Sequence, residues 1–173
     1  LVEELRLERV DAVIGRCSTA TLPPGIVQEP LLQQDACLLA HPRNPVVRQA
    51  RVTLADLAPF SWVLPQRDTP TRAAINAVFE KAGLRGPAAT LEAASTKVIH
   101  LALRANSRLL SIVPADAGAD IEKLGGVRRL PFPAPLAMPA IGIIYATRLR
   151  DTPVIRNLRD LLRELLRRRG MSR

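Results

Sequence analysis

The chain has 173 residues, 47% of them hydrophobic but only 3% aromatic, and its 25 Lys and Arg against 16 Asp and Glu give a formal charge of +9. That length serves one ordinary domain or two small lobes, and a core built from Leu, Val, Ile and Ala does not suit a base-stacking surface. No window approaches about 18 uninterrupted apolar residues and no signal-peptide pattern opens the chain, while Cys17, Cys37, His41 and His100 show neither zinc spacing nor a disulfide framework. A cytoplasmic protein without metal, cofactor or membrane contact is the expectation. The sequence opens at Leu1 and not at Met, which leaves room for a preceding segment.

Leu1 to Arg9 reads as the last turns of an amphipathic helix, and Val10 to Ile14 as a buried strand ending at Gly15. Gly15, Arg16, Cys17 and Ser18 are then expected on the loop at its carboxyl end, where open α/β folds bind ligands. Pro23, Pro24 and Gly25 turn the chain into an extended segment from Ile26 to Ala40, expected to break around Pro30. Thr53 to Leu57 is a short capped turn and Ser61 to Leu64 a short apolar strand. Thr69 is placed to cap a helix that has Pro70 at its first position, buries Ala74, Ile75, Val78, Phe79 and Ala82, and ends at Gly83. Thr71 and Arg72 fall in its first turn. An arginine there opposes the helix dipole, so an anion or a carboxylate partner explains it better than the dipole does; the plain alternative is that it points to solvent.

The stretch Leu91 to Pro114 (LEAASTKVIHLALRANSRLLSIVP) carries most of the argument. Ser95 or Thr96 caps a helix whose Val98, Ile99, Leu101, Ala102, Leu103 and Ala105 leave almost no polar face, so it is expected to be buried on several sides. Leu109 to Val113 reads as a strand covered on both faces. The Ser-Thr cap would lie at the carboxyl edge of the sheet, where a helix start offers unpaired N–H groups to an anion, unless it serves only its own helix. Ala115 to Leu124 is a short helix closed by Gly125 and Gly126, Val127 to Leu130 a short strand, Pro131 to Pro139 a Pro-rich connector, and Ala140 to Ala146 a strongly apolar strand. Thr152 and Pro153 open a last helix with a stripe of Val154, Leu158, Leu161, Leu162, Leu165 and Leu166. Arg148, Arg150, Arg156, Arg159, Arg163, Arg167, Arg168, Arg169 and Arg173 crowd this end, which reads as a solvated helix face, with direct DNA binding the alternative.

Two long extended segments flanking a βαβ-rich middle describe an α/β protein of two lobes joined by two crossing strands. VDAVIG, EPLLQQDACLLAHPRNPV, VTLADLAPFSWVLPQRDTPTRAAINAVFEKAGL, LEAASTKVIHLAL and RDTPVIRNLRDLLREL occur in an order and spacing that resembles the regulatory domain of LysR-type transcriptional regulators over nearly the whole chain. The resemblance implies a type 2 periplasmic-binding-protein-like fold, with residues 1–32 and 147–173 as lobe one, incomplete at its N-terminus, and 33–146 as lobe two with the crossover strands. It also implies a small, anionic effector held in the interlobe cleft by Gly15, Arg16, Ser18, Thr71, Arg72, Ser95 and Thr96, and self-association as a homodimer or tetramer. DNA would be bound only through a winged helix-turn-helix that this sequence does not contain. The chain has Arg104 to Leu110 (RANSRLL) where the family often has a Gly-rich stretch.

No cofactor glycine motif, P-loop or G-x-S-x-G occurs, and no third group is placed to orient a Cys–His pair, so an enzyme is not expected. A solute-binding protein of the same fold and a dimerisation module with a closed cleft remain as alternatives.

Overall fold

The computed structural model describes residues 2–18, 21–168 and 170, so Leu1 of the first expected helix and Arg169 and Arg173 of the basic end lie outside the described residues. The chain divides into two compact units, residues 1–33 with 139–173 and residues 34–138. Residues 139–146, which the sequence reading groups with the middle of the chain, cluster with the first unit.

Unit 1 holds α1 (Val2–Arg6), β1 (Ala12–Arg16), the first part of β2 (Ile26–Ala40), most of β7 (Ala137–Ala146) and α6 (Pro153–Arg168). Its strands lie in the order β1-β7-β2, and β1 runs antiparallel to β7 with Ala12 opposite Tyr145 and Arg16 opposite Ile141. Side chains alternate across a strand, so β7 feeds two cores. Ile143 and Tyr145 pack on Ile155 of α6, while Ile144 and Ala146 pack with Leu5 of α1 and Ile26.

Three expectations change here. Gly15 and Arg16 are the last residues of β1, not loop residues, because Gly15 faces Gly142 and the pairing continues past it. Strand β2 does not break at Pro30: β5 and β6 meet it only over Ala36–Ala40, so at Pro30 one edge of β2 carries no partner from those strands and a missing N–H is tolerated. The last helix buries Ile155 alone, and Val154, Leu161 and Leu165 of the expected stripe are exposed.

Unit 2 holds the rest of β2, α2 (Leu54–Leu57), β3 (Ser61–Leu64), α3 (Pro70–Lys81), β4 (Ala89–Glu92), α4 (Thr96–Ala105), β5 (Leu109–Pro114), α5 (Ala115–Lys123) and β6 (Arg128–Pro131). The strand order is β6-β2-β5-β3-β4, with β2 antiparallel to β5 and β6 and β3 parallel to both neighbours. One face, with Trp62, Leu64, Leu110 and Ile112, takes Ile75 and Phe79 of α3, whose ring meets Trp62 edge-on at 6.1 Å. The other, with Leu39, Val63, Leu109 and Val113, takes Ile99 and Leu103 of α4 and Ile121 of α5. Helix α4 is therefore buried on one side only, and its Val98 and Leu101 are exposed, against the expectation of burial on several sides.

Candidate functional site

Because β3, β4 and β5 run parallel, their carboxyl ends share one edge of the unit 2 sheet, and each strand is followed by a helix starting there. Leu64 lies opposite Glu92, and the Ala93 N–H donates to the Leu64 carbonyl at 2.9 Å. The stretches Thr69–Arg72 and Ser95–Thr96, which sequence separates by more than twenty positions, thus leave adjacent strand ends. Helix starts carry unpaired N–H groups and the positive end of the dipole, a combination suited to a carboxylate or phosphate.

The two helix starts differ. Thr69 caps α3 fully: its Oγ1 accepts the Arg72 N–H at 3.2 Å, and its hydroxyl donates to the Gln66 carbonyl at 2.7 Å. Ser95 occupies the cap position of α4, but its side chain makes no capping bond. Ser95 and Thr96 are both exposed. The first turn of α4 is thus the less satisfied of the two.

Arg72 does not point to solvent; the residue is 6% exposed. Its Nη1 donates to the Pro65 carbonyl at 3.0 Å, Nη2 to the Pro87 carbonyl at 3.5 Å and Nε to Asn76 Oδ1 at 3.4 Å. The carboxylate partner that its position calls for is Glu92 of the same chain, 3.7 Å from Nη1, and exposed Arg67 donates to that same oxygen at 3.0 Å. Arg72 therefore clamps the segment after β3 to the segments before and at the end of β4. Of the two explanations that the sequence pattern offers for Arg72, an anion or a carboxylate partner, the structure supplies the second in Glu92.

In unit 1 the group Gly15, Arg16 and Ser18 gathers where β1 ends. Arg16 Nη1 donates to the Pro139 carbonyl at 2.7 Å, and the Cys17 N–H to the Ala140 carbonyl at 2.7 Å. The Gln28 amide bridges Ser18, accepting from its N–H at 2.9 Å and donating to its carbonyl at 2.7 Å. The sequence reading missed a second polar cluster in this unit. Tyr145 donates its hydroxyl to Glu29 Oε1, Arg159 Nη2 donates to the same oxygen at 2.8 Å, and Arg159 Nε lies 2.7 Å from Oε2 without aligned hydrogen-bond geometry. Desolvation pushes the Glu29 carboxyl up, but the Tyr145 and Arg159 hydrogen bonds and the nearby Arg159 and Arg163 charges outweigh it and hold it below the usual glutamate value.

The two thiols are not activated nucleophiles. Burial raises Cys17 and pushes Cys37 up to about 11, the opposite of the shift that makes a cysteine reactive. Among the described residues no cluster of three or more His, Cys, Asp or Glu could hold a metal ion, and no helix is long and apolar enough to cross a membrane.

Comparison with known proteins decides the family. The family model for the LysR substrate binding domain matches residues 1–167. The chain belongs to the LysR family. It is 30% identical over 166 residues to the HTH-type transcriptional regulator GalR of Pseudomonas putida, covering 96% of this chain and 41% of GalR. It thus spans less than half the length of that relative. Among solved structures, full-length BenM carrying the E226K mutation superimposes with a TM-score of 0.77 at 22% identity, over 98% of this chain and 55% of BenM. The effector binding domain of QuiR in complex with shikimate does so with a TM-score of 0.76 at 19% identity, over 95% of this chain and 75% of that one. The type 2 periplasmic-binding-protein-like fold implied by the sequence motifs agrees with the family model and with the fold that these structures share with this chain.

Proposed function

We propose that this chain senses a small organic anion for a LysR-type regulator whose DNA contacts are made by a winged helix-turn-helix outside this sequence. The observation that carries the reading is the unit 2 edge at which two helices start side by side, one of them with its cap hydroxyl unused. Thr71, Ser95 and Thr96 supply hydroxyls and first-turn N–H groups to the anion. Arg72 acts through position, holding the two strand ends together, and does not give its guanidinium to the ligand. Gly15, Arg16 and Ser18, at the end of β1, are the unit 1 residues that the family resemblance assigns to the effector. Effector binding would favour one arrangement of the lobes by its differential affinity, and so alter DNA binding by a homodimer or tetramer. The chain performs no chemistry on its ligand in this reading; the relatives it matches are named as transcriptional regulators.

Shikimate, the ligand in the QuiR complex, is a small hydroxylated carboxylate of this class. A thermal-shift screen of hydroxylated and aromatic carboxylates, with shikimate first and neutral sugars as contrast, tests the proposal. A ligand that binds only the native state at a hundredfold excess over Kd adds about 2.7 kcal/mol, a shift of several degrees. A saturable rise with one carboxylate and none with its amide is the expected result. A screen in which only neutral sugars shift the transition would replace the anionic effector, and a flat screen would favour a dimerisation module.

A further inference from the structure

The unit 2 sheet has a second edge, formed by the carboxyl end of β2 and the amino ends of β3, β5 and β6. There Ala40 lies opposite both Leu110 and Arg128, and Ser61 lies opposite Leu109. Residues 41–51, 106–109 and 126–129 flank these neighbouring strand ends, although more than fifty positions separate the first two segments. Arginine occurs in all three: Arg43, Arg48 and Arg51, then Arg108, then Arg128, each of them exposed.

The cluster carries its charge uncompensated. No Asp or Glu occurs in the three segments, and among the described residues none of the five guanidinium groups has an ion-pair or hydrogen-bond partner. Arg72, Arg129 and Arg159, by contrast, each have a carboxylate. Asp56, the next acid along the chain from Arg51, accepts from the N–H and the hydroxyl of Thr53 in its capping box. Five like charges at one edge repel one another, a cost that a polyanion removes.

The main chain that carries these arginines is fixed. Buried Asn44 donates from Nδ2 to the Ser107 carbonyl at 2.7 Å and accepts the Val46 N–H at 3.0 Å, which ties the segment of Arg43 to the residue before Arg108. The Arg108 N–H donates to Asn106 Oδ1 at 2.9 Å and the Arg43 N–H to His41 Nδ1 at 3.0 Å. A partner therefore meets a backbone already ordered, which lowers the cost of binding.

Composition selects the kind of partner. No large apolar side chain is exposed on the three segments, and the core of a protein interface would need one. They contain no Phe, Trp or Tyr on which unpaired bases could stack. Guanidinium groups spread along an open edge suit a row of phosphates. We propose that this edge of unit 2 binds the phosphate backbone of duplex DNA without reading its sequence, through Arg43, Arg48, Arg51, Arg108 and Arg128. The surface differs from the arginine-rich end of the chain and uses none of the residues assigned to the effector. It rests on the regulator reading only for bringing DNA within reach, and sequence-specific contacts stay with the winged helix-turn-helix. Tethering to a DNA-bound segment gives millimolar effective concentrations, so a dissociation constant of roughly 10⁻⁴ M is enough for occupancy.

The test is fluorescence-anisotropy titration of the chain with a labelled duplex of arbitrary sequence, at salt stepped between about 50 and 200 mM. Binding is expected, with log K falling linearly in log salt by about 0.9 for each phosphate met. Arg43→Gln with Arg108→Gln should reduce that slope by about two and weaken binding about tenfold or more at the lowest salt. Both side chains are exposed and unpaired among the described residues, so the melting temperature should not change. Arg156→Gln with Arg163→Gln removes the same charge from exposed positions of α6 and should bind nearly as the parent does. Absence of binding at about 50 mM salt overturns the proposal. Equal weakening by the α6 pair also overturns it, since net charge alone would then explain the affinity. So does polyglutamate that binds as tightly as the duplex and is lost equally in the Arg43→Gln, Arg108→Gln variant, a result that points to an acidic protein instead.

Discussion

Each unit sets a free buried cysteine against a glycine and holds one arginine in a polar cluster, yet the two clusters are arranged differently. In unit 2 the Arg72 guanidinium is held mainly by main-chain carbonyls, with the Glu92 carboxylate at a longer 3.7 Å. In unit 1 Arg159 is held by a carboxylate at 2.7 Å and shares it with a tyrosine hydroxyl. Carbonyls do not titrate and carboxylates do. The first arrangement fixes a strand edge through groups that do not titrate, whereas the charged tie between Arg159 of α6 and Glu29 of β2 is complete only while Glu29 is ionised. The glycines differ too: a Cβ on Gly142 would collide with the Glu29 backbone carbonyl, and one on Gly118 with the Cys37 sulfur.

The glycine contrast gives the largest expected effect. Gly142→Ala forces backbone apart and should cost about 3 kcal/mol or more, read as a lost or much earlier denaturant transition. Gly118→Ala meets a side chain instead and should cost about 1–2 kcal/mol, with Cys37→Ala in the same chain restoring most of it. Equal losses at the two glycines would break the distinction.

Arg72→Met should cost about 2–3 kcal/mol at every pH from 5 to 8, because it strands the buried Pro87 carbonyl and the half-buried Pro65 carbonyl. Glu29→Gln should cost less, about 1 kcal/mol at neutral pH, since the pair is partly open to water. Its signature is in the pH profile. The folded carboxyl titrates below the unfolded value, so its contribution is complete above the ordinary glutamate range and is lost as pH falls through the folded value. The parent should therefore lose stability on acidification more steeply than Glu29→Gln, as chemical denaturation at stepped pH would measure. Parallel profiles would remove the titrating role assigned to Glu29.

The smallest effect separates the two helix starts. Thr69→Ala removes a formed cap and should cost about 1 kcal/mol. Ser95→Ala removes none and should leave the melting temperature within error of the parent.

How much of this was legible in the sequence follows from which interactions are local. Thr69 with Pro70 starts α3 and Gly83 follows its end, each signal lying next to the boundary it sets, and the capping box of Thr53 with Asp56 is equally local, so both elements read correctly. The alternating cores of β3 and β5 follow from strand periodicity. The extension of β1 through Arg16 does not, because it depends on Gly142, more than a hundred positions away. The Glu29, Tyr145 and Arg159 cluster was hidden for the same reason, while the carboxylate partner expected for Arg72 was legible as a type of group but not as Glu92. Apolar pattern alone also overstated the burial of α4 and α6: it identifies a face that needs cover but not whether the fold covers it.

The central claim is that the chain binds a small organic anion through the start of α4, and calorimetric titration with shikimate, or with whichever carboxylate gives the largest thermal shift, tests it most directly. The parent and a Ser95→Ala, Thr96→Val double variant of equal stability would be compared. Saturable one-to-one binding in the parent, weakened at least tenfold in the double variant, is the predicted result. Equal affinity in the two proteins, or heat that never saturates in either, would contradict it.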